Sequence, residues 1–262
     1  MRKLLIVTLF ALLALTAWTQ QAQAPVEITS EPSHHLVLEN MFVRVFAVTV
    51  DPGQSTLMHH HGHDYIGITL GDSQITNTKQ GAQPAQVALK DGDTRFTAAG
   101  LVHAITNNAA KPFHNRTIEF LQPTTNQKAC TESCDVPVPC DSPDKTKCVT
   151  VTKLITADQW SVTQITAPPG SNYPQHTHLA NFLTIPLTDA DVTMKNQDRP
   201  GAVVHFKTGE LAWNNPVVHT VTNTGSTTAK TIVLEFRGRP AGEGSESMGP
   251  QSKDAPKPHD HQ

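Results

Sequence analysis

Residues 52–61 of the chain read PGQSTLMHHH, and residues 169–178 read PGSNYPQHTH. In both stretches a Pro-Gly turn leads, after five further residues, to two histidines that are two positions apart. These pairs are His59 with His61 and His176 with His178. Because successive side chains of a β-strand point to opposite faces, the two histidines of each pair share one face. One such pair arises easily by chance, but the same turn and spacing found twice indicate a repeated unit.

The repeat extends well beyond these two stretches. In each half a glycine precedes a third histidine, an asparagine follows that histidine by four residues, and a glutamate stands later in an apolar run. The matching residues are Gly92 and Gly209, His103 and His219, Asn107 and Asn223, and Glu119 and Glu235. The members of each pair lie 116 or 117 residues apart, which is far longer than a solenoid period and indicates a duplicated domain.

Short runs that alternate between apolar and polar residues occur at matching places in both halves. The clearest are residues 43–50, 66–70 and 117–121 in the first half and residues 162–166, 182–187 and 231–236 in the second. Clusters of Gly, Asp and Asn separate these runs, and neither half shows an amphipathic helix of three turns. The pattern predicts an all-β fold with one sandwich or barrel per half.

The composition fits two globular domains and gives no sign of a polyanionic partner. A chain of 262 residues suits two domains, each of about 100–120 residues. The net charge is −3 and aromatic residues make up 5% of the chain, so nothing favours nucleic acid or an anionic membrane. The unusual feature is the 14 histidines, which are clustered.

The first 24 residues have the features of a secretory signal peptide. Arg2 and Lys3 precede an apolar run over residues 4–17, and Ala-Gln-Ala at residues 22–24 is a small-residue cleavage pattern. A permanent membrane anchor is the weaker alternative, because a span needs about 20 apolar residues. The sequence therefore predicts export, to the periplasm or the medium. Residues 241–262, rich in Gly, Ser, Pro and charge, are predicted to be a disordered tail.

All four cysteines fall in residues 126–149, a Pro-, Asp- and Thr-rich linker between the predicted barrels of residues 25–125 and 150–240. They are Cys130, Cys134, Cys140 and Cys148. In an exported protein they predict two disulfides, whose three pairings the sequence leaves open. A zinc site is the alternative, but the usual C-x-x-C pairs are absent.

The two histidine motifs resemble those of the cupin superfamily. The first cupin motif has a Gly, five residues, His-x-His and, three or four residues later, a Glu; its matches here are Gly53, His59 and His61, and again Gly170, His176 and His178. The second motif is matched by Gly92, Gly100, His103 and Asn107, with Ala98 in place of a proline, and more loosely by Gly209, His219 and Asn223. The resemblance covers residues 35–123 and 150–240. It implies a bicupin: two tandem jelly-roll barrels, each with three histidines around one metal ion.

The sequence departs from the cupin pattern at the glutamate that usually completes the ligand set. Tyr65 and Phe182 stand at that place, and Asp64 and Asn181 one residue before. We therefore expect a three-histidine site in each barrel. Asp64 and His63 are alternative donors in the first barrel, should the strand be irregular there. His60 should point to the other face, toward the surface.

Three neutral imidazoles suit Fe, Mn, Ni, Cu or Zn and disfavour Mg²⁺ and Ca²⁺, which prefer oxygen ligands. A set of three protein ligands also leaves positions open for a small molecule, as in catalytic sites. Glu119 and Glu235 stand in apolar strands, so each is either a solvated or paired charge, or an inward carboxylate that supports a ligand or acts as general base. On the second alternative Glu119 is the candidate catalytic residue. Asn107 and Asn223 are expected to cap turns.

Two functional hypotheses follow for the predicted metal-binding bicupin. The first is a metal-dependent oxidoreductase, such as a dioxygenase, or an isomerase that acts on a small organic molecule. The alternative is a non-catalytic module that binds metal or a small ligand; a metal-free protein would need both histidine sets to be structural. The second copy has lost one residue before His219, so we expect the first barrel to hold metal more tightly. Whether the chain is a monomer or a homodimer is left open.

Overall fold

The computed structural model describes residues 24–237. The predicted signal peptide, apart from Ala24, and the predicted tail at residues 241–262 lie outside the described residues. Within residues 24–237 the chain consists of short β-strands, loops and two short 3₁₀ turns, at Ile28–Ser30 and Lys145–Lys147. None of the helical segments described there has the length and apolarity to cross a membrane.

The first half folds into two five-stranded sheets. Its strands are β1 (Val26–Glu27), β2 (His34–Glu39), β3 (Val43–Val50), β4 (His59–His60), β5 (Tyr65–Leu70), β6 (Ser73–Lys79), β7 (Ala85–Leu89), β8 (Thr94–Thr97), β9 (Val102–Asn107) and β10 (Phe113–Phe120). The strand orders are β1-β4-β9-β6-β7 and β2-β3-β10-β5-β8. Apolar residues of both sheets, among them Phe46, Ile75 and Phe113, meet in one buried cluster, so the sheets enclose a barrel.

The second half repeats this arrangement. Its strands, including two in the linker, are β11 (Lys128–Ala129), β12 (Asp135–Val136), β13 (Thr150–Thr156), β14 (Trp160–Ala167), β15 (Asn172–His178), β16 (Phe182–Pro186), β17 (Ala190–Asn196), β18 (Ala202–Phe206), β19 (Ala212–Asn214), β20 (Val217–Asn223) and β21 (Ala229–Phe236). The sheets run β11-β13-β14-β21-β16-β19, with β12 beside β13, and β15-β20-β17-β18. The predicted all-β fold with two tandem jelly-roll barrels is confirmed.

The sheet of the first half that contains β3 and β10 packs against the sheet of the second half that contains β14 and β21. Val43 and Val45 of β3 enter a buried cluster that also contains Val162 and Leu234 of the second half. Further along β3 the side chains that face the other way fill the first barrel instead. Phe120 stacks on Trp160 across this junction, with ring centroids 4.5 Å apart. The sheet is therefore buried on both faces, which explains why its strands are rich in apolar residues.

Two glycines of the repeated motif also serve the contact between the barrels. Gly92 and Gly209 have positive φ angles of 81° and 75°. A Cβ on Gly92 would lie 2.8 Å from Leu187 Cδ1, and one on Gly209 would lie 2.6 Å from Leu70 Cδ1. Leu70 and Leu187 are themselves one repeat apart, so each barrel inserts the same leucine against the other barrel's glycine. A side chain is excluded at both glycines by backbone conformation and by space.

The linker holds its four cysteines in two pairs at disulfide distance. Cys130 and Cys134 have an S–S separation of 2.14 Å, and Cys140 and Cys148 one of 2.01 Å. This selects one of the three pairings that the sequence left open. The sulfur atoms bond in pairs instead of surrounding a common centre, which is incompatible with a four-cysteine zinc site.

Candidate metal centres

The first histidine triad lies where two neighbouring strands of one sheet pair. His59 of β4 is the register partner of His103 of β9, and His61 follows β4 by one residue. All three side chains are buried, and their nitrogen atoms lie within 4.8 Å of one another. His61 Nε2 and His103 Nε2 are 3.1 Å apart. The structure thus brings together the three residues that the spacing selected, although they come from two separate motifs.

Hydrogen bonds behind the triad determine which ring nitrogens face its centre. His59 Nδ1 lies 2.8 Å from the carbonyl oxygen of Leu57, and His103 Nδ1 lies 3.0 Å from Asn77 Oδ1. An oxygen of this kind can only accept, so both Nδ1 atoms are the protonated donors. The Nε2 lone pairs of these two rings are therefore left for a ligand at the centre.

Burial keeps the triad neutral. Loss of water lowers the pKa of His59 to about 4 and that of His61 to about 2, with neighbouring histidines adding to the effect. The same causes lower the pKa of His103 to about 3. Neutral imidazoles with free lone pairs are the protonation state that binds a metal ion.

The donor set fits a divalent transition metal. His59 Nε2 is buried and has no hydrogen-bond partner among the described residues, a situation that costs free energy unless an ion or water satisfies the atom. Two imidazole nitrogens that each lie about 2.0–2.1 Å from one ion are separated by roughly 3 Å. The measured separation of His61 Nε2 and His103 Nε2 is 3.1 Å. Each barrel carries a histidine triad suited to one such ion.

Glu119 points into the first barrel because of strand alternation. Its neighbours Ile118 and Phe120 enter the core between the barrels, so Glu119 faces the opposite way and is wholly buried. Its Oε1 lies 3.8 Å from His61 Nδ1, and its Oε2 lies 3.7 Å from the Arg44 guanidinium. Burial raises the pKa of Glu119 to about 7, although the Arg44 charge opposes this. Glu119 therefore stands behind His61 and not among the residues that line the cavity.

The alternative donors of the first barrel lie elsewhere. Asp64 accepts a hydrogen bond from the Ala99 amide at 2.8 Å, and its other oxygen bonds the Thr124 hydroxyl. The Asp64 carboxylate thus joins two loops and does not belong to the group of donors that converge on the first site. His63 is half-buried and does not belong to the group of converging donors. His60 turns outward, as expected, and its Nδ1 lies 3.1 Å from Glu27.

The residues at the place of the usual glutamate pack on a ligand ring instead of ligating. Tyr65 stacks on His61 with ring centroids 4.0 Å apart and planes 15° from parallel. Phe182 stacks on His178 in the same way at 3.9 Å. In both barrels the aromatic ring restricts the orientation of the second histidine.

The second triad has the same construction on β15 and β20. His176 Nδ1 lies 2.9 Å from the Pro174 carbonyl oxygen, and His176 Nε2 lies 2.9 Å from His219 Nε2. His178 Nδ1 lies 3.4 Å from Glu235 Oε2. Burial lowers the pKa of His176 and lowers that of His219 to about 4, with the neighbouring histidines contributing in both cases. His176 and His219 are thus also neutral, and the three donors converge on one point.

The first barrel encloses a cavity of about 150 Å³ beside its triad. Polar side chains line much of it, including Thr56, Tyr65, Asn77, Thr97 and Asn115. Drug-sized ligands need about 300 Å³ or more. The cavity therefore suits a ligand of a few heavy atoms with polar groups.

Two residues of this site escaped the sequence analysis. His34 lines the cavity with its ring centroid 4.7 Å from that of His59, and buried Glu31 lies 2.5 Å from His34 Nδ1. Neither belongs to the repeated motifs. The only sequence signal was a histidine at the start of an apolar run, which is too common to select a site residue.

In each barrel the asparagine of the second motif forms hydrogen bonds that hold the turn after the third histidine. Asn107 Nδ2 donates to the carbonyl oxygens of Val50 and Lys111. Asn223 makes the matching pair of bonds, to Ala167 and Thr227. Both are wholly buried, and both hold turns, as the sequence predicted.

Comparisons with known proteins agree with this description of the fold. No protein-family model matches the chain, and no curated protein matches it in sequence. Among solved structures it is similar to AerE from Microcystis aeruginosa, with a TM-score of 0.52 and 11% identity over 79% of this chain and 99% of that one. A putative glyoxylate induced protein from Pseudomonas aeruginosa has a TM-score of 0.55 and 12% identity over 79% and 80% of the two chains. The S161A mutant of Bacillus subtilis oxalate decarboxylase has a TM-score of 0.52 and 12% identity over 79% and 76%.

Two tandem jelly-roll barrels, each with a histidine triad at two adjacent strands of one sheet, define a bicupin fold suited to binding metal. The chain therefore has this fold, with three-histidine sites that lack the glutamate usual in the cupin motif.

Proposed function

We propose that the protein is an exported, metal-dependent bicupin whose first barrel converts a small organic molecule, as an oxidoreductase or an isomerase. The observation that carries this proposal is the buried, unpartnered His59 Nε2. It belongs to a neutral triad that borders a cavity, so a metal ion there would be both tightly held and reachable by a ligand.

His59, His61 and His103 would hold the ion in the first barrel, and His176, His178 and His219 would hold one in the second. A bound Fe, Mn, Ni, Cu or Zn ion supplies Lewis acidity, and the redox-active ones supply electron transfer, at its open positions. In the first barrel the chain itself orients the ligands: the Leu57 carbonyl and Asn77 set two tautomers, and Tyr65 limits rotation of His61. Glu119 offsets part of the ion's charge from behind His61.

Export is supported by the signal-peptide pattern and by the linker. The described residues contain no free cysteine, and the two cysteine pairs at bonding distance suit an oxidising compartment. The partner we propose is a small molecule that reaches the ion from the cavity.

A non-catalytic binding module is the second candidate. The observation that favours it is the position of Glu119, the carboxylate expected to serve as base. Because Glu119 lies behind His61 and outside the cavity, it does not reach a ligand in the cavity. A protein of this kind would bind metal and ligand without turnover.

Elemental analysis of the mature protein after equilibration with each candidate metal tests the proposal. We expect about two ions per chain, with one lost in His103→Ala and the other in His219→Ala, since each change removes one of three ligands. Less than half an ion per chain in the wild-type protein for every metal would contradict metal dependence. Thermal shifts with small ligands that never lead to product or to dioxygen uptake would favour the binding module over the enzyme.

A further inference from the structure

The N-terminal segment of the described chain closes the first barrel. β1 pairs in parallel with β4, which brings Val26 into register with His59. The Val26 amide donates to the Met58 carbonyl oxygen at 3.0 Å, and Ile28 is buried in the barrel core. The chain then turns so that His34 reaches the cavity beside the triad, with the buried Glu31 next to it.

Glu31 is almost wholly buried, yet its carboxylate is well satisfied. It accepts hydrogen bonds from the amides of Ser33 at 2.9 Å and Leu57 at 3.0 Å, and it lies 2.5 Å from His34 Nδ1. Burial by itself would raise the pKa of Glu31, but the hydrogen bonds from His34 and Leu57 outweigh it and lower the pKa. Glu31 is therefore an ionised carboxylate that can only accept.

This pairing determines how His34 meets the cavity. Glu31 accepts the hydrogen bond from His34 Nδ1–H, so Nε2, the other ring nitrogen, is left to offer its lone pair to an incoming donor. The ring lies 4.7 Å from that of His59 and 6.3 Å from that of His61, measured between centroids. Its nitrogens are nevertheless not part of the converging triad. His34 thus stands beside the metal site and presents an acceptor to the cavity.

The residue at the place of His34 in the second barrel is apolar. His34 pairs with Val48 in the first barrel, and the matching pair in the second is Val151 with Ile165. Val151 is buried and apolar. The acceptor is therefore a feature of the first barrel alone and not of the duplicated fold.

We propose that Glu31 and His34 form a ligand-orienting pair, in which His34 Nε2 accepts a hydrogen bond from the hydroxyl of a small anionic chelator such as an α-hydroxy acid. This inference rests on the proposed function. A divalent ion on three neutral imidazoles leaves a buried double positive charge, which an anionic oxygen ligand offsets. A hydroxyl beside the ion is polarised and becomes a strong hydrogen-bond donor. An acceptor placed next to it therefore raises the affinity for a ligand with a hydroxyl above that for the corresponding ether, which cannot donate. The cavity of about 150 Å³ accommodates an acid of this size.

Glycolate and methoxyacetate are a matched pair of probes, because both offer a carboxylate and a second oxygen but only glycolate has a hydroxyl to donate. We would load the full-length His219→Ala protein with cobalt(II), so that metal occupies the first barrel, and follow each titration by the visible absorption of the ion. The ratio of the two dissociation constants is the readout. One net hydrogen bond predicts a preference for glycolate of about 3- to 10-fold.

Substitution of His34 should remove this preference. His34→Phe keeps a ring but has no acceptor, so the ratio should fall to within about twofold of unity. His34→Gln retains an acceptor oxygen and should keep part of the preference, and Val151→Ala in the second barrel should leave it unchanged. Because both constants are measured on the same protein, a loss of folded fraction alters the amplitude and not the ratio.

The outcomes separate this inference from the function on which it rests. No cobalt uptake by the His219→Ala protein would overturn both. Normal uptake with no binding of glycolate would overturn the ligand class. Normal uptake with an undiminished glycolate preference in both His34 variants would overturn the role of His34 and leave the metal site intact.

Discussion

His61 of the first barrel and His178 of the second occupy the same place in the repeat, and each stacks on the aromatic residue that replaces the usual glutamate. Their supporting carboxylates differ. The Glu119 side chain is 1% exposed and lies near Arg44, whereas the Glu235 side chain is 30% exposed and accepts a hydrogen bond from the Leu179 amide. Arg44 is the register partner of Glu119, and Ser161 takes that place beside Glu235.

The third histidines differ as well. His103 has its tautomer set by Asn77, which lies on β6 two residues before Lys79, the register partner of His103. In the second barrel Met194 stands at the matching position on β17, and a thioether is at best a weak acceptor. Tyr173 also packs on His176 there, at 3.9 Å between ring centroids, where the first barrel has the small Thr56. The repeat thus provides equal donor sets, while the surroundings make the first site deeper, better oriented and open to a cavity.

The largest expected effect comes from removing one ligand from each barrel. His103→Ala and His219→Ala should each abolish tight binding in their own barrel. At limiting metal the His103→Ala protein should retain less, because its remaining site is the less well oriented one. Elemental analysis after dialysis against a graded series of chelator buffers measures this. If the two variants lose equal amounts of metal, or if His219→Ala loses more, the surroundings of the triads do not make the first site the tighter one.

Exchanging the residue behind the third histidine should bring the two sites closer together. Asn77→Met gives the first barrel the residue of the second and should weaken its metal affinity by about 10- to 100-fold, as loss of such hydrogen bonds does elsewhere. Met194→Asn should strengthen the second site. The metal affinities of both variants are measured by competition with a chromophoric chelator. If Asn77→Met leaves the first-site affinity unchanged, the hydrogen bond to His103 Nδ1 has no role in the asymmetry.

The contact between the barrels should behave symmetrically, in contrast to the sites. Gly92→Ala and Gly209→Ala should each lower the free energy of unfolding by about 1–3 kcal/mol more than Gly53→Ala does. Gly53 is the control because it also has a positive φ, of 73°, but nothing lies within 4 Å of its added Cβ. Denaturant unfolding of the metal-free proteins measures the difference. A cost equal to that of Gly53→Ala would show that the two leucines move aside freely.

The smallest effect should come from neutralising the supporting carboxylates. Glu119→Gln should weaken metal binding in the first barrel by up to about 10-fold, and Glu235→Gln should have less effect because water screens its charge. The metal-free Glu119→Gln protein should be at least as stable as the wild type, since the buried Glu119 oxygens have no hydrogen-bond partner among the described residues. Calorimetry with and without metal tests both parts. If Glu235→Gln lost more metal affinity in its barrel than Glu119→Gln loses in the first, the exposed carboxylate would be the more important of the two.

Much of the fold and of each donor set could be predicted from the sequence, because the signals are local and occur twice. Alternation along a strand places His59 and His61 on one face, and the repeat separates this pattern from chance. The choice between the two alternatives for Glu119 could not be made in the same way. Alternation states only that Glu119 and Ile118 face opposite ways, and the packing of the second barrel on Ile118 decides which face is the interior.

Sequence alone therefore determined the duplicated all-β architecture, the choice of six histidines as candidate ligands and the absence of the usual glutamate. Each of these depends on spacing within a motif. Only the tertiary structure decided that Asp64 binds Ala99 and Thr124 and that His34 approaches His59 from 25 positions earlier in the chain. It also decided that the first site borders a cavity lined by both polar and apolar side chains. These features arise where segments distant in sequence meet, and the hydrogen bonds and burial that set them are absent until the chain has folded around them.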